Sequence, residues 1–441
     1  MPAVSYHRQI LHLAIPAFLT LVAEPLFLLG DSAIVGHLGT TQLAALGVAG
    51  TIVTAIVGLC VFLAYGTTAA VARAVGAGDE RRALQLGIDG MWLAVAVGLV
   101  SVLVLEVTAQ WLVEPFGAGA AVAGDALGYI RIAAFGVPAL LVVLASTGIL
   151  RGFADTRTPL VVTVITQLLN IGANLLLVYG IGSWNGFGLR GSALGTVIAQ
   201  TLGAIAFAGV VVRLARRHRV SLRPDLPGVR ASGATSIPLI IRTLTLRIAL
   251  LSTVLVASGF GPAPLAAHQV AMNVWNLLAL ALDAVAIAAQ TITGQSLGAG
   301  DSSHTRAVTR AMLKWGVAAG VVLGILLLAG HRVIPALFTT DPAVRSALAI
   351  VLLIAAVWQP VNGVVFVLDG VLIGAGDARY LALAGVLTLV VFIPLLVLVW
   401  RFDGGLPWLW WAYGAFMLAR MVTLLYRQRG DAWLRLGASL R

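Results

Sequence analysis

Long apolar stretches separated by short polar connections recur along the whole chain. Most stretches hold about 20 residues, the length that an α-helix needs to cross the hydrocarbon core of a bilayer. Backbone polar groups find no water there, so each stretch is predicted to be a helix. The pattern predicts twelve membrane spans, near residues 10–36, 45–72, 85–113, 126–150, 159–180, 191–213, 236–259, 265–296, 307–330, 344–373, 380–400 and 407–427.

Composition argues against a soluble protein. Hydrophobic residues fill 60% of the 441 positions and charged residues only 10%, whereas a soluble domain carries about 25% charged residues. The first apolar stretch follows Arg8, as in a secretory leader, but it holds Pro16 and Glu24 and lacks a small-residue cleavage site. It is therefore predicted to be the first membrane helix. The single cysteine, Cys60, excludes an internal disulfide, and the seven histidines are scattered, so no metal site is predicted.

The net charge of +11 lies in the connections between the apolar stretches. Arginine-rich connections alternate with arginine-poor ones, and the richest is RLARRHRVSLRPDLPGVR at 213–230. Positive residues favour the cytoplasmic side of a membrane, so this side, with both termini, is predicted to be cytoplasmic. The orientation of the chain in the membrane thus explains the positive charge, which does not indicate binding of a nucleic acid. The predicted partners are the lipid bilayer and a small organic molecule.

Short motifs recur at a constant offset of 222 residues, as in AIPAFL at Pro16 and SIPLII at Pro238 (238 − 16). VGAGD and LGAGD, and RGFADTR and IGAGDAR, repeat at the same offset. Such pairs predict two halves of six helices with the same orientation, a substrate path between them and alternating access. The predicted organisation is a first lobe at 1–213, a basic cytoplasmic linker at 214–235, a second lobe at 236–427 and a basic cytoplasmic tail at 428–441.

The repeated polar turns are predicted to be helix connections. In VGAGDERR and RGFADTRTP, glycine turns the chain and aspartate either caps the next helix or pairs with an arginine. A structural role is therefore expected for these motifs.

Two carboxylates interrupt the first predicted helix. Glu24 and Asp31 are seven residues apart and share one helix face. A charge at mid-bilayer costs about 2.5–3.5 kcal/mol on insertion scales and normally faces a cavity, an ion or a partner. Asp31, with Glu24 beside it, is a candidate for binding a proton or the substrate, and the alternative is a carboxylate that caps a helix end. Pro16 and Pro25 are predicted to bend this helix.

Amide side chains share one face of the fifth predicted helix. Gln167, Asn170 and Asn174 are spaced by three and four residues. They either bond to neighbouring helices, as amides commonly do in membranes, or line a cavity with Asp31. The spacing leaves both readings open. Two weaker candidates for the cavity lining are Thr196 in the sixth span and the aromatic side chain of Tyr65 in the second.

The second half carries a different set of charges inside its predicted spans. By depth along the helices, Arg247 is predicted to pair with Asp283, and Arg242 with Asp369. Such pairs act either as static stabilisation or as a latch between conformations. Their counterparts in the first half are uncharged, so duplication alone does not explain them.

The order of several motifs along nearly the whole chain resembles the multidrug and toxic compound extrusion (MATE) family. The motifs are EPLFLLGDSAIVGHLGTTQLAALGV, VGAGD, LRGFADTRTPL, NIGANLLLVYGIG, LAAHQV, GQSLGAGD and LDGVLIGAGDARY. The arginine of PLIIRTL and the segment ALDAVAIAAQTITGQSLGAGD are most similar to the DNA-damage-inducible (DinF-like) branch. The resemblance implies an all-α integral membrane fold with two six-helix lobes. It also implies export of cations or drugs in exchange for protons or sodium, with an ion gradient as the energy source and no cofactor.

The resemblance places the site in the first lobe around Asp31, with a bend at Pro16. The motif's asparagine in the fifth helix falls on Asn170. Many members carry aspartate four residues later, where this chain has Asn174. The acidic ion site that the sodium-coupled branch has in its seventh helix is also absent, and Arg242 and Arg247 occur there instead. The first departure leaves Asp31 and Glu24 as the titrating acids near the site and argues against a two-carboxylate mechanism. The second favours proton coupling over sodium coupling.

The sequence therefore predicts a monomeric, proton-coupled antiporter of the inner membrane that exports organic cations or amphipathic drugs. Sodium-coupled efflux is one alternative. A lipid-linked precursor flippase is another, which Arg242 and Arg247 favour and the acids of the first half disfavour. A membrane-embedded enzyme would need a nucleophile–base pair or a metal cluster, and the sequence offers neither.

Overall fold

The computed structural model describes residues 6–117 and 119–437. Helices form the regular structure of these ranges, apart from an isolated β-bridge between Ile181 and Trp184 and a single 3-10 turn at Glu114–Phe116. The helices are α1 (Tyr6–Gly36), α2 (Thr40–Leu59), α3 (Phe62–Gly76), α4 (Glu80–Val113), α5 (Ala120–Ala134), α6 (Val137–Gly152), α7 (Arg157–Tyr179), α8 (Leu189–His218), α9 (Leu226–Ser258), α10 (Pro262–Gly298), α11 (Ser302–Gly330), α12 (Val333–Phe338), α13 (Pro342–Gly374), α14 (Ala378–Arg401) and α15 (Gly405–Arg429).

The fold is an all-α integral membrane protein with twelve spans in two six-helix lobes, as predicted. Within the described ranges, eleven helical segments are long and apolar enough to cross a membrane. The twelfth span is the pair α5 and α6, which meet at a bend of 49°. Pro138 lies in the first turn of α6. The N–H groups of that turn have no helical acceptor, so the missing N–H of proline costs no hydrogen bond there. The second span is interrupted at Cys60 and Val61, between α2 and α3.

The repeated VGAGD and LGAGD turns cap helices, as their motifs predicted. Asp79 accepts the backbone N–H of Arg82 at 2.9 Å at the start of α4. Asp301 accepts the backbone N–H of His304 at 2.8 Å at the start of α11. The glycine before each aspartate has a positive φ, of 77° and 79°, which an L side chain rarely adopts. Each carboxylate satisfies an N–H group that the first helical turn leaves unbonded.

The second pair of repeated turns uses its aspartates differently. Asp155 caps α7 by accepting the backbone N–H of Thr158 at 2.9 Å. Its counterpart Asp377 instead binds two nitrogens of the Arg427 guanidinium, at 2.6 and 3.2 Å. The ring of Tyr380 lies 4.8 Å from the same guanidinium. In the first copy of this turn the aspartate therefore caps a helix, and in the second copy it pairs with an arginine.

The described residues divide into two compact units. The first unit is Leu19–Ser236. The second unit consists of the described residues from Ile237 onwards together with those that precede Leu19. Small residues allow close helix packing inside the second unit, where a Cβ at Gly316 of α11 would lie 2.5 Å from the carbonyl oxygen of Gly363 in α13.

The predicted linker at 214–235 is largely helical. Its first residues extend α8 to His218, and its last ten belong to α9.

A buried carboxylate of α4 fastens the segment between α8 and α9. Asp89 accepts the backbone N–H of Asp225 at 3.0 Å and the side-chain amide of Gln85 at 3.1 Å. The indole of Trp92 donates to the carbonyl oxygen of Leu222 at 3.0 Å. Because Asp225 directly precedes α9, the Asp89 carboxylate lies at the positive end of that helix.

Candidate functional site

A chain of polar side chains links three helices of the first unit. Asp31 is half-buried on α1 and accepts a hydrogen bond from the side-chain amide of Asn174 on α7. The same amide donates to Asn170 Oδ1 at 2.8 Å, and Asn170 donates to the Thr196 hydroxyl of α8 at 3.4 Å. The structure thus brings together four of the residues singled out in the sequence.

Asn174 holds the central place in this chain. Its side chain is 0% exposed, and its Nδ2 faces both Asp31 and Asn170. Its Oδ1 is buried without a hydrogen-bond partner among the described residues. A buried polar atom of this kind is rare, because it loses its bonds to water without compensation. The amide therefore has one acceptor without a described partner, at the opposite end from the N–H groups that face Asp31 and Asn170.

Gly195 of α8 makes room for that amide. A Cβ built at Gly195 would overlap Asn174 Oδ1 and lie 3.1 Å from its Cγ. Glycine is therefore the residue that fits where α7 and α8 approach each other. Sequence reasoning missed Gly195 because the chain has 49 glycines, and nothing in the pattern distinguishes this one.

Tyr129 of α5 was also missed. It is buried, and Thr196 and Ser192 of α8 and Asp31 of α1 are among its neighbours. An isolated tyrosine in an apolar stretch is equally typical of core packing, so the sequence carried no signal for it.

The other candidates of the first half lie outside this chain of hydrogen bonds. Glu24 is exposed two turns before Asp31, and Gln167 and Tyr65 are half-buried. The bend-forming candidates Pro16 and Pro25 both lie within the continuous helix α1.

The described ranges contain no group of three or more His, Cys, Asp or Glu side chains that could hold a metal ion.

A second polar cluster lies inside the second unit. Asp369 of α13 accepts hydrogen bonds from Arg242 of α9, at 2.7 Å, and from Arg420 of α15, both at its Oδ2. The three side chains are at most 13% exposed. The structure therefore forms the predicted contact between Arg242 and Asp369. Arg420 was not singled out, because an arginine near the end of a span is typical of a side chain that reaches towards the membrane surface.

The predicted pair of Arg247 and Asp283 is wrong. Arg247 is exposed and forms no ion pair in the part of the chain that the structure describes, while Asp283 is half-buried on α10. The reason lies in helix geometry. Five residues separate Arg242 from Arg247, which rotates the second side chain by about 140° around the helix. Arg247 therefore points away from the interior that Arg242 faces.

Comparison with known proteins places these features in a family. The family model MatE matches residues 16–176 and 238–398, and the two matches begin at the 222-residue offset of the internal repeat. Protein DETOXIFICATION 44, chloroplastic, of Arabidopsis thaliana is 32% identical over 95% of this chain and 81% of its own length. DNA damage-inducible protein F of Escherichia coli is 29% identical over 95% of this chain and 91% of its own length.

Solved structures share the fold. The MATE transporter VcmN of Vibrio cholerae in its bent form has a TM-score of 0.87 and 22% identity, over 98% of this chain and 97% of that one. A transporter of the MOP superfamily from Pyrococcus furiosus, described as having a binding pocket of reverse polarity, has a TM-score of 0.87 and 21% identity, over 97% and 96%.

Proposed function

The chain belongs to the MATE family of membrane transporters, and on that premise we propose that it exports organic cations or amphipathic drugs in exchange for protons. Members of this family are transporters and not enzymes. The observation that carries the proposal is Asp31, the one carboxylate in the chain of side chains from Asp31 to Thr196. A half-buried carboxylate within a span attracts either a proton or an organic cation.

Asp31 holds the proton or the substrate, but not both. As a carboxylate it accepts only, and it takes the hydrogen bond from Asn174. As a carboxylic acid it becomes a donor and no longer attracts a cation. Asn174 suits both states, because an amide offers a donor to the carboxylate and an acceptor to the acid. Its Oδ1 lies against Gly195 without a described partner, so the amide would turn its oxygen towards Asp31 when the carboxyl is protonated.

Proton coupling is proposed over sodium coupling because a donor already faces the carboxylate. The Asn174 N–H points at an Asp31 oxygen, where a bound Na⁺ would need that oxygen as a ligand. Sodium would therefore have to displace the amide, whereas a proton would not. Efflux of cations is favoured over flipping of a lipid phosphate, because Asp31 makes this cluster negative. A lipid phosphate requires a positive site.

We propose an inner-membrane location with both termini in the cytoplasm. The support is the alternation of arginine-rich and arginine-poor connections along the chain. A monomeric state stays a prediction of the sequence.

The test is transport by the purified protein in liposomes. An imposed pH gradient should drive a fluorescent cationic dye across the membrane with wild type and not with Asp31→Asn, which keeps the size of the side chain and removes its charge. Glu24→Gln tests the other candidate acid of α1, and it should retain transport because Glu24 lies outside the chain of hydrogen bonds from Asp31 to Thr196. A sodium gradient at equal pH should drive no dye.

Wild-type transport by Asp31→Asn would show that this acid does not couple transport. Dye movement driven by sodium alone would move the proposal to the sodium-coupled alternative.

A further inference from the structure

The end of α8 and the connection after it carry a dense group of arginines. We call this group the basic rim, and its members are Arg213, Arg216, Arg217, Arg219 and Arg223. All five are exposed. Within the described ranges, none of them forms an ion pair with a carboxylate. Their positive charge therefore faces outwards, unmatched by the protein.

Two acids near the basic rim have partners of their own. Glu80 at the start of α4 lies 3.2 Å from His218 Nδ1 at the end of α8. Asp89 accepts the backbone N–H of Asp225 and the side-chain amide of Gln85. Asp225 is exposed and is the one acid between residues 213 and 225, where the basic rim supplies five arginines. The surface at the end of α8 is therefore strongly positive.

The connection after α8 is held against α4. The indole of Trp92 donates to the carbonyl oxygen of Leu222 at 3.0 Å, and Val220 packs against the buried cluster that includes Leu84. The positive-inside rule asks only for positive charge on one side of the membrane, which a mobile loop would provide equally well. That rule therefore does not account for arginines that the fold holds in one place.

Apolar side chains are exposed beside these arginines. Leu222 is 41% exposed, Leu226 at the start of α9 is 70% exposed, and Trp92 is 43% exposed. Exposed leucines lose free energy in water and gain it against acyl chains. Tryptophan is enriched at the boundary between membrane and water, and arginines next to apolar side chains are typical of segments that lie in that boundary. The connection is therefore suited to lie at the level of the lipid headgroups, where the apolar span of α8 ends.

We propose that the basic rim binds the phosphate headgroups of anionic phospholipids, with Leu222 and Leu226 against their acyl chains. A guanidinium matches a phosphate group with two parallel N–H donors. Basic clusters directly beside a membrane span attract anionic lipids. The surface lies in the first unit, outside the chain of hydrogen bonds from Asp31 to Thr196, and it does not depend on the proposed export of cations.

The test is the thermal stability of the full-length protein in a neutral detergent, with phosphatidylglycerol or phosphatidylcholine added in equal amounts. A ligand that binds only the folded protein raises the melting temperature saturably. Phosphatidylglycerol should raise the melting temperature of wild type by several degrees, and phosphatidylcholine, which has no net charge, should not. The rise should shrink as the salt concentration increases, because salt screens exposed charges.

A fourfold variant removes most of the charge of the basic rim. Its substitutions are Arg216→Gln, Arg217→Gln, Arg219→Gln and Arg223→Gln. This variant should need about tenfold or more phosphatidylglycerol for half of the rise, because each arginine near an anionic surface strengthens binding several-fold. The matched control removes the same charge at four separate exposed positions, by Arg157→Gln, Arg332→Gln, Arg379→Gln and Arg401→Gln. The control should respond like wild type.

A double variant, Arg217→Gln with Arg219→Gln, keeps the test decisive if the fourfold variant does not fold. Native mass spectrometry counts the phosphatidylglycerol molecules that stay bound, and the double variant should retain fewer than wild type.

Glycerol phosphate distinguishes a lipid from a soluble ligand, because it carries the phosphate without acyl chains. At the same concentration it should not raise the melting temperature. The proposal is overturned if phosphatidylcholine stabilises wild type as much as phosphatidylglycerol does, or if glycerol phosphate reproduces the rise. It is equally overturned if the variants of the basic rim respond to phosphatidylglycerol and retain it as the matched control does.

Discussion

One amide determines the charge that the first-unit site can carry. With Asn174 beside Asp31, the chain of hydrogen bonds contains one carboxylate. A single carboxylate stores one proton, so each proposed exchange at this site moves one proton against one bound cation. The two ends of the amide face different neighbours. Its N–H faces Asp31, and its Oδ1 lies buried against Gly195.

Gly195→Ala should abolish pH-driven dye transport while the protein still folds. The added methyl group overlaps the Asn174 amide and must displace it from Asp31. Overpacking of this kind costs about 1–3 kcal/mol, so a lower melting temperature is also expected. Transport in liposomes and thermal unfolding in detergent are the measurements.

The matched control is Gly209→Ala on the same helix, where a Cβ would meet nothing within 4 Å. It should leave transport unchanged and should not lower the melting temperature, because alanine is the better helix former. Transport at the wild-type rate by Gly195→Ala would mean that the position of the Asn174 amide is not needed.

At the scale of helices, the same turn sequence produces the same cap in each half. Asp79 and Asp301 both bond to the backbone three residues ahead. The backbone N–H of His304, the hydroxyl of Ser303 and the nearby His304 ring lower the pKa of Asp301 below its ordinary value. A carboxyl with a lowered pKa stabilises the folded state above its unfolded pKa, and this contribution is lost as the pH falls through the folded value.

Asp301→Ala should therefore lower the melting temperature at pH 7, and its difference from wild type should shrink as the pH falls below about 4, the ordinary pKa of aspartate. Asp301→Asn keeps a capping oxygen without a charge, so its stability should lack this acid-dependent component. Thermal unfolding in detergent at both pH values is the measurement. A difference between wild type and Asp301→Ala that is constant with pH would contradict the role of the charged cap.

The element scale also shows where prediction from sequence works and where it stops. Apolar length located all twelve spans, because lipid leaves a long apolar stretch no alternative to a helix. It placed the start of the seventh span at 236, whereas α9 begins at Leu226. The extra turns precede the apolar stretch, and Asp225 just before them is bonded to Asp89, a residue 136 positions away in sequence. Periodicity carries no information about such a contact.

Site prediction had the same limit. The spacing of Asn170 and Asn174 and the charge of Asp31 are visible in the sequence, and the structure joins them. Arg420 and Gly195 are defined only by what faces them from another helix. The prediction that Arg247 pairs with Asp283 failed because it considered depth along the helix and not rotation around it.

On the scale of the whole molecule, duplication supplied the scaffold and left each half its own chemistry. The first unit presents a carboxylate in an amide network, and the second presents guanidinium groups around one acid. Both are buried within spans, and both differ from their counterparts 222 residues away. The proposed export of cations follows from the negative charge of the first of these two clusters.

Cysteine accessibility should place the loop after α7 outside the cell and the start of α11 inside it. Cys60 is the chain's single cysteine and is buried, so an introduced cysteine provides the reactive thiol. Ser183→Cys and Ser302→Cys each lie at an exposed position. On intact cells, a membrane-impermeant maleimide should label the first variant, and it should label the second only after lysis.

Labelling of both variants in lysed cells shows that each thiol is accessible. The reverse pattern on intact cells would invert the topology inferred from the arginine-rich connections.

The hydrogen bonds that hold the segment between α8 and α9 matter for imaging small transporters. Such imaging often uses a second protein, a guest, inserted into a loop to add mass. This segment is the longest basic connection and looks like a natural place for a guest. Yet Leu222 and Asp225 are both bonded to α4, and Val220 packs against the buried cluster that includes Leu84. A guest placed there would pull on those bonds, so one of the other connections is the better host.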